Sequence, residues 1–139
     1  MFKSILLAFD GSESSLRTVY QAIEIAKLTS DSKIWVVYVL ADKTSSTEVL
    51  HLWEAEGIKK DRLHRFKLAE EAAIEHNINY EIKLLRGEPE LKIIEFATAN
   101  QVDIIVIGSR GLNPFQSMIL GSVSHKVMKK ASCPVMIIK

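Results

Sequence analysis

The sequence has a single cysteine, Cys133, which excludes an intramolecular disulfide and a cysteine-rich metal centre and suits a reducing compartment. Its expected role is core filling. Three prolines and six glycines in 139 residues leave no low-complexity or disordered signature. Neither charge sign dominates: 18 Lys and Arg against 17 Asp and Glu give a net charge of +1. A general electrostatic pull on nucleic acid or anionic lipid is therefore missing, and any anion site must be local. No apolar run approaches the ~18 residues needed to cross a bilayer, and Met1-Phe2-Lys3-Ser4 runs into a strand-like segment without a signal-peptide pattern. The expectation is one cytoplasmic domain over residues 1–139, with an apolar fraction of 47% that is ample for a core.

What is present is an alternation of two periodicities. Short apolar runs occur at Ser4–Phe9, Lys33–Leu40, Tyr80–Leu85, Asp103–Ile107 and Val135–Ile138. Several are apolar at consecutive positions, as expected of strands buried on both faces of a mainly parallel sheet. Between them, Leu16, Val19, Tyr20, Ile23 and Ala26 follow helical spacing behind the capping residue Ser12, with Glu13 near the positive helix end. Leu63, Phe66, Ala69 and Ala73 form a second stripe over Leu63–His76. Pro89 opens a third helix carrying Leu91, Ile94, Glu95 and Ala97, and a fourth spans Ser122–Ala131 before Cys133-Pro134 stops it. The fold class is α/β, with helices on both faces of an open five-stranded sheet. The stretch Lys43–Thr47, with Gly57 beyond it, is the best candidate for a mobile connection.

The most informative segment is Gly108-Ser109-Arg110-Gly111, continued through Gly121-Ser122-Val123-Ser124, because it follows a buried strand and opens a helix. Glycines there permit positive φ and close approach of a ligand, and Gly121-Ser122 offers amides and a hydroxyl at a helix N-terminus. Phosphate is the ligand this chemistry selects. A few charge-assisted hydrogen bonds, each worth ~1.5–3 kcal/mol, reach the ~8 kcal/mol of micromolar binding. The same residues also serve a purely structural βα turn, and spacing alone does not choose between the two. Arg110 is a candidate partner for phosphate oxygens, against the ordinary role of a solvated loop arginine. His125 reads as an exposed residue in the first turn of the last helix. His51, His64 and His76 lack convincing partners for a ligand site, and Trp35 and Trp53 read as core or cover residues, not platforms for bases.

Glycine, two residues, glycine, nine residues, then glycine and serine resembles the nucleotide motif of the universal stress protein family, ATP-binding subclass, met here by Gly108, Gly111, Gly121 and Ser122. Ile5–Ser12, Gly87-Glu88-Pro89 and Ser132–Val135 are similar to the family as well. The resemblance implies a Rossmann-like sheet of order 3-2-1-4-5, with a crevice beyond strands 1 and 4. It also implies that Ala8 and Asp10 meet adenosine, that Val39 binds adenine through its main chain, and that Gly108, Ser109, Arg110, Gly111, Gly121, Ser122, Val123 and Ser124 hold ribose and phosphates. Asp10 is a further candidate to place Mg through the nucleotide; its competing role is to cap the helix near Ser12.

The loop lacks the Lys-Ser or Lys-Thr ending of a P-loop, and the first strand lacks the dinucleotide fingerprint. Asp10, Arg110 and a few hydroxyls are a thin set for phosphoryl transfer. The expected function is an ATP-binding stress-response regulator or sensor with at most slow hydrolysis. The alternative is a nucleotide-independent homodimeric interaction module of the same fold; a flavin carrier is a third class. The apolar edge strand 134–139 is expected to pair with a second copy of the chain, and no nucleic-acid or membrane partner is expected.

Overall fold

The computed structural model describes residues 2–40, 60–109 and 121–139. Five strands, β1 (Ser4–Ala8), β2 (Lys33–Leu40), β3 (Asn79–Arg86), β4 (Ile104–Gly108) and β5 (Val135–Ile138), pair in the order β3-β2-β1-β4-β5. Every ladder is parallel. The order and the helical coverage agree with the expectation from sequence. Four helices are described: α1 (Glu13–Ala26), α2 (Lys60–Glu75), α3 (Pro89–Ala99) and α4 (Ser122–Lys130).

The sheet separates two apolar layers because successive side chains of a strand point to opposite faces. Ile5 and Leu7 of β1 pack with Val19, Ile23, Phe66 and Ala69 beneath α1 and α2. Leu6 of β1 and Ile105 of β4 pack with Ile93, Ala97 and Val127 beneath α3 and α4. Ile5, Leu6 and Ile105 are fully buried, and each such side chain contributes about 1.5–3 kcal/mol of transfer free energy. Cys133 packs half-buried against the second layer, where burial pushes its thiol pKa up, consistent with filling space and not with a reactive thiolate.

Two helix stripes differ from expectation. Tyr20, expected on the inner face of α1, is exposed, and Leu91 of α3 is exposed too, while Ile93 and Glu90 are buried beside Ala97. Periodicity locates a helical face only to within a residue; packing against the twisted sheet fixes the rotation. The connection at Lys43–Thr47 and Gly57, with His51 and Trp53, lies outside the described residues. Trp35 is a half-buried cover residue, its ring edge-on to Phe96 at 5.2 Å with the Lys33 ammonium 3.8 Å above it.

Candidate functional site

The sheet changes its direction of winding between β1 and β4, which are neighbours in space but not in sequence. At such a switch the connections leave to opposite sides, and a crevice opens beyond the C-terminal strand ends. Leu7 lies opposite Val106, so the chain from Ala8 onward emerges beside Ile107, Gly108 and Ser109. Ala8 is the last residue of β1, and Phe9 continues the ladder by donating its amide to the Val37 carbonyl at 3.0 Å.

The turn that follows is built by its own polar groups. Gly11 has φ of 76°, a left-handed conformation that glycine takes without steric cost. The Asp10 carboxylate accepts the Ser12 amide through Oδ1 at 2.9 Å. Ser12 is the N-cap of α1, its Oγ accepting from the Ser15 amide at 3.2 Å. Asp10 thus shapes the turn before the helix, and the helix amides are capped by Ser12. Only Oδ1 is used in that bond.

Across the crevice, the Ser109 amide donates to Ile138 at 2.8 Å, and the Ser109 carbonyl receives the Gly121 amide. The buried Ser124 hydroxyl donates to the Gly121 carbonyl at 3.0 Å and lies 3.4 Å from the Ser109 carbonyl. These bonds bring the end of β4 and the start of α4 together. Gly121 is the N-cap of α4 but has no side chain with which to cap it, and the first turn carries no acidic residue. The amides of Ser122, Val123 and Ser124 belong to the group that an α-helix cannot satisfy internally, at an end bearing about half a positive charge.

Val39 completes the crevice from β2. The Val37 carbonyl faces β1, and in a parallel ladder the residue two positions on has the same main-chain orientation. Val39 lies beyond the last β1 partner of β2, while remaining opposite Leu85 of β3. Its N–H and C=O therefore turn toward the space beyond β1.

Of the residues expected at the site, Ala8, Asp10, Val39, Gly108 and Ser109 lie at or just beyond the C-terminal ends of β1, β2 and β4, and Gly121, Ser122, Val123 and Ser124 form the start of α4, which the Gly121 amide ties to Ser109. Arg110 and Gly111 lie outside the described residues. Among the described residues no group of three or more His, Cys, Asp or Glu side chains could hold a metal ion. His125 is exposed as expected, and the ring of His76, one residue beyond α2, meets the Ala72 carbonyl of that helix through Nδ1 at 2.8 Å. No helix of the described residues is long and apolar enough to cross a membrane.

Two contacts at or behind the crevice had no sequence signal. Arg65 of α2 donates from Nη1 to the Gly11 carbonyl at 3.1 Å. Glu90 of α3 meets the Lys126 ammonium of α4 at 3.2 Å, and its carboxyl is held below the usual range first by its own backbone amide and further by Lys126.

A parallel doubly wound sheet of order β3-β2-β1-β4-β5 with helices on both faces defines a Rossmann-like class of α/β architecture. Within that class the chain belongs to the universal stress protein family, whose model matches residues 1–139. It is 32% identical to the universal stress protein YxiE of Bacillus subtilis, over all of both chains. A solved universal stress protein in complex with cAMP superposes with a TM-score of 0.78 at 25% identity, over 99% of this chain and 97% of that one. The universal stress protein of Archaeoglobus fulgidus in complex with dAMP gives 0.73 at 25% identity over the whole of both chains.

Proposed function

We propose that the crevice binds an adenine nucleotide, ATP in the first instance, and that the protein is a nucleotide-dependent regulator or sensor with at most slow hydrolysis. The observation that carries this reading is the N-terminus of α4: Gly121 leaves its amides without a side-chain cap, at the end of β4 to which its own amide is bonded through Ser109. The cAMP and dAMP complexes of its structural relatives support the adenine part. In this reading Val39 meets adenine through its main chain, while Asp10 and the backbone at Ala8 meet the adenosine. Gly108 to Gly111, with Arg110 among them, and Gly121 to Ser124 meet ribose and phosphates. Asp10 with phosphate oxygens would hold Mg. Such an ion would neutralise phosphate charge; Asp10, Arg110 and a few hydroxyls are a thin set for phosphoryl transfer, which fits binding better than turnover.

Mass spectrometry of ligands carried through native purification, followed by calorimetry with ATP and AMP, tests the reading. Gly121→Val narrows the helix entrance and is expected to weaken binding about a hundredfold, the equivalent of about 2.7 kcal/mol. Unchanged affinity would remove α4 from the site.

The alternative of a homodimeric interaction module rests on β5, whose four aliphatic residues stay half-buried at the sheet edge. The Pro134 and Ile138 carbonyls bond inward to β4, so the intervening Ile137 N–H points to the open edge, which invites a second strand. A dimer is expected in light scattering at micromolar concentration, and Ile137→Pro, which removes an outward donor, is expected to give monomers.

A further inference from the structure

We infer that Arg65 is a positioning residue for the nucleotide crevice, acting through the turn that carries Asp10; this rests on the proposed nucleotide reading. Three observations carry the inference. The first is the bond from Arg65 Nη1 to the Gly11 carbonyl, 3.1 Å long and linking residues far apart in sequence. The second is the next residue of α2: Phe66 is buried, with its ring edge-on to Phe9 at 4.8 Å and to Tyr38 at 5.4 Å. The third is the conformation of Gly11, whose φ of 76° lets the peptide reorient at little steric cost.

Residues 65 and 66 therefore hold the chain on both sides of Asp10. Phe66 fixes the preceding Phe9 by packing, and Arg65 fixes the following Gly11 by a charge-assisted hydrogen bond, a stronger class than the neutral kind. A glycine without such an anchor has several accessible conformations, and each places the Asp10 carboxylate differently. With Gly11 held, the Ser12 amide stays on Asp10 Oδ1, leaving Oδ2 to meet a ribose hydroxyl or a cation. The advantage to binding is preorganisation: the turn is ordered before the ligand arrives, so less ordering opposes association. The guanidinium also supplies a positive charge near the Asp10 turn, in a chain whose net charge of +1 supplies almost none in general.

The test has two readouts on the intact protein. In the ligand-free state, hydrogen exchange of the Ser12 amide in Arg65→Met is expected to accelerate about tenfold relative to wild type, while amides of β1 and β4 keep their protection. Arg65→Lys, which retains a donor, should restore most of the protection. In the second readout, calorimetry with ATP is expected to show about tenfold weaker binding for Arg65→Met. Combining it with Asp10→Ala should produce no further loss, because the arginine acts through that residue. Exchange at Ser12 unchanged in Arg65→Met overturns the clamp. So do additive losses in the double variant, which would make Arg65 an independent ligand contact. A wild-type protein that binds no adenine nucleotide refutes the nucleotide reading and with it the crevice role of Arg65; the Ser12 exchange result then decides separately whether the turn clamp exists.

Discussion

Three helices of this protein begin near strand ends, and they treat the same electrostatic problem differently. At α1, Ser12 caps the Ser15 amide and Asp10 secures the preceding turn. At α3, Pro89 occupies the first turn without an N–H to satisfy, and Glu90 brings a carboxylate to the positive end, held by Lys126 of the neighbouring helix. At α4, Gly121 supplies no side chain and the first turn has no acid. One end is capped by a side chain, one has no side-chain cap but carries a carboxylate in its first turn, and one has neither. A glycine N-cap gives up only a few tenths of a kcal/mol relative to Ser, Thr, Asp or Asn, so the open end costs the fold little, and its free amides suit an external anion.

The largest expected effect comes from closing the open end. Gly121 has φ of −69° and ψ of 162°, a conformation open to any residue, so Gly121→Asp would cap α4 internally and set a carboxylate where the nucleotide phosphates are proposed. Affinity for ATP in calorimetry is expected to drop by about a hundredfold, while helix stability rises by a few tenths of a kcal/mol. Opposite signs in the two measurements separate a blocked site from a damaged fold.

Opening a closed end gives the converse. Ser12→Ala removes the cap of α1 and is expected to cost about 1 kcal/mol in urea unfolding. ATP affinity should stay within about twofold of wild type, since the Ser12 hydroxyl faces the helix and not the crevice. A large loss of affinity would mean that the two ends are not separable.

The smallest effect lies at α3. The folded-state pKa of Glu90 is depressed, so its contribution to stability is present above the ordinary glutamate range and is lost as pH falls through the folded-state value. Unfolding by urea at neutral pH and at pH about 3 should therefore show a pH-dependent increment that Glu90→Gln lacks, of less than about 1 kcal/mol given the exposure of Lys126. A Gln variant with the full wild-type pH dependence would assign the increment to other carboxylates.

Much of the fold was legible because consecutive apolar runs such as Ile104–Ile107 and 3.6-residue stripes such as Phe66, Ala69 and Ala73 report burial directly. The candidate crevice was legible through its glycines, at the positions where the chain must leave a strand and enter a helix. Tyr20 and Leu91 were misplaced because their distance from the sheet depends on helix rotation, which a periodicity argument fixes only coarsely. Arg65 was invisible for another reason: nothing local distinguishes an arginine that reaches Gly11 from one in solvent.

By itself the sequence determined the alternation of strands and helices, the two-sided burial of the sheet and the uncapped glycine entrance to α4, all of which follow from hydrophobic period and backbone chemistry within short windows. Only the tertiary structure decided which distant groups meet: Ser109 with Gly121, Glu90 with Lys126 and Arg65 with the Gly11 carbonyl. Those contacts depend on strand order, register and helix rotation together, quantities set by the packing of the whole chain and by no local stretch of it.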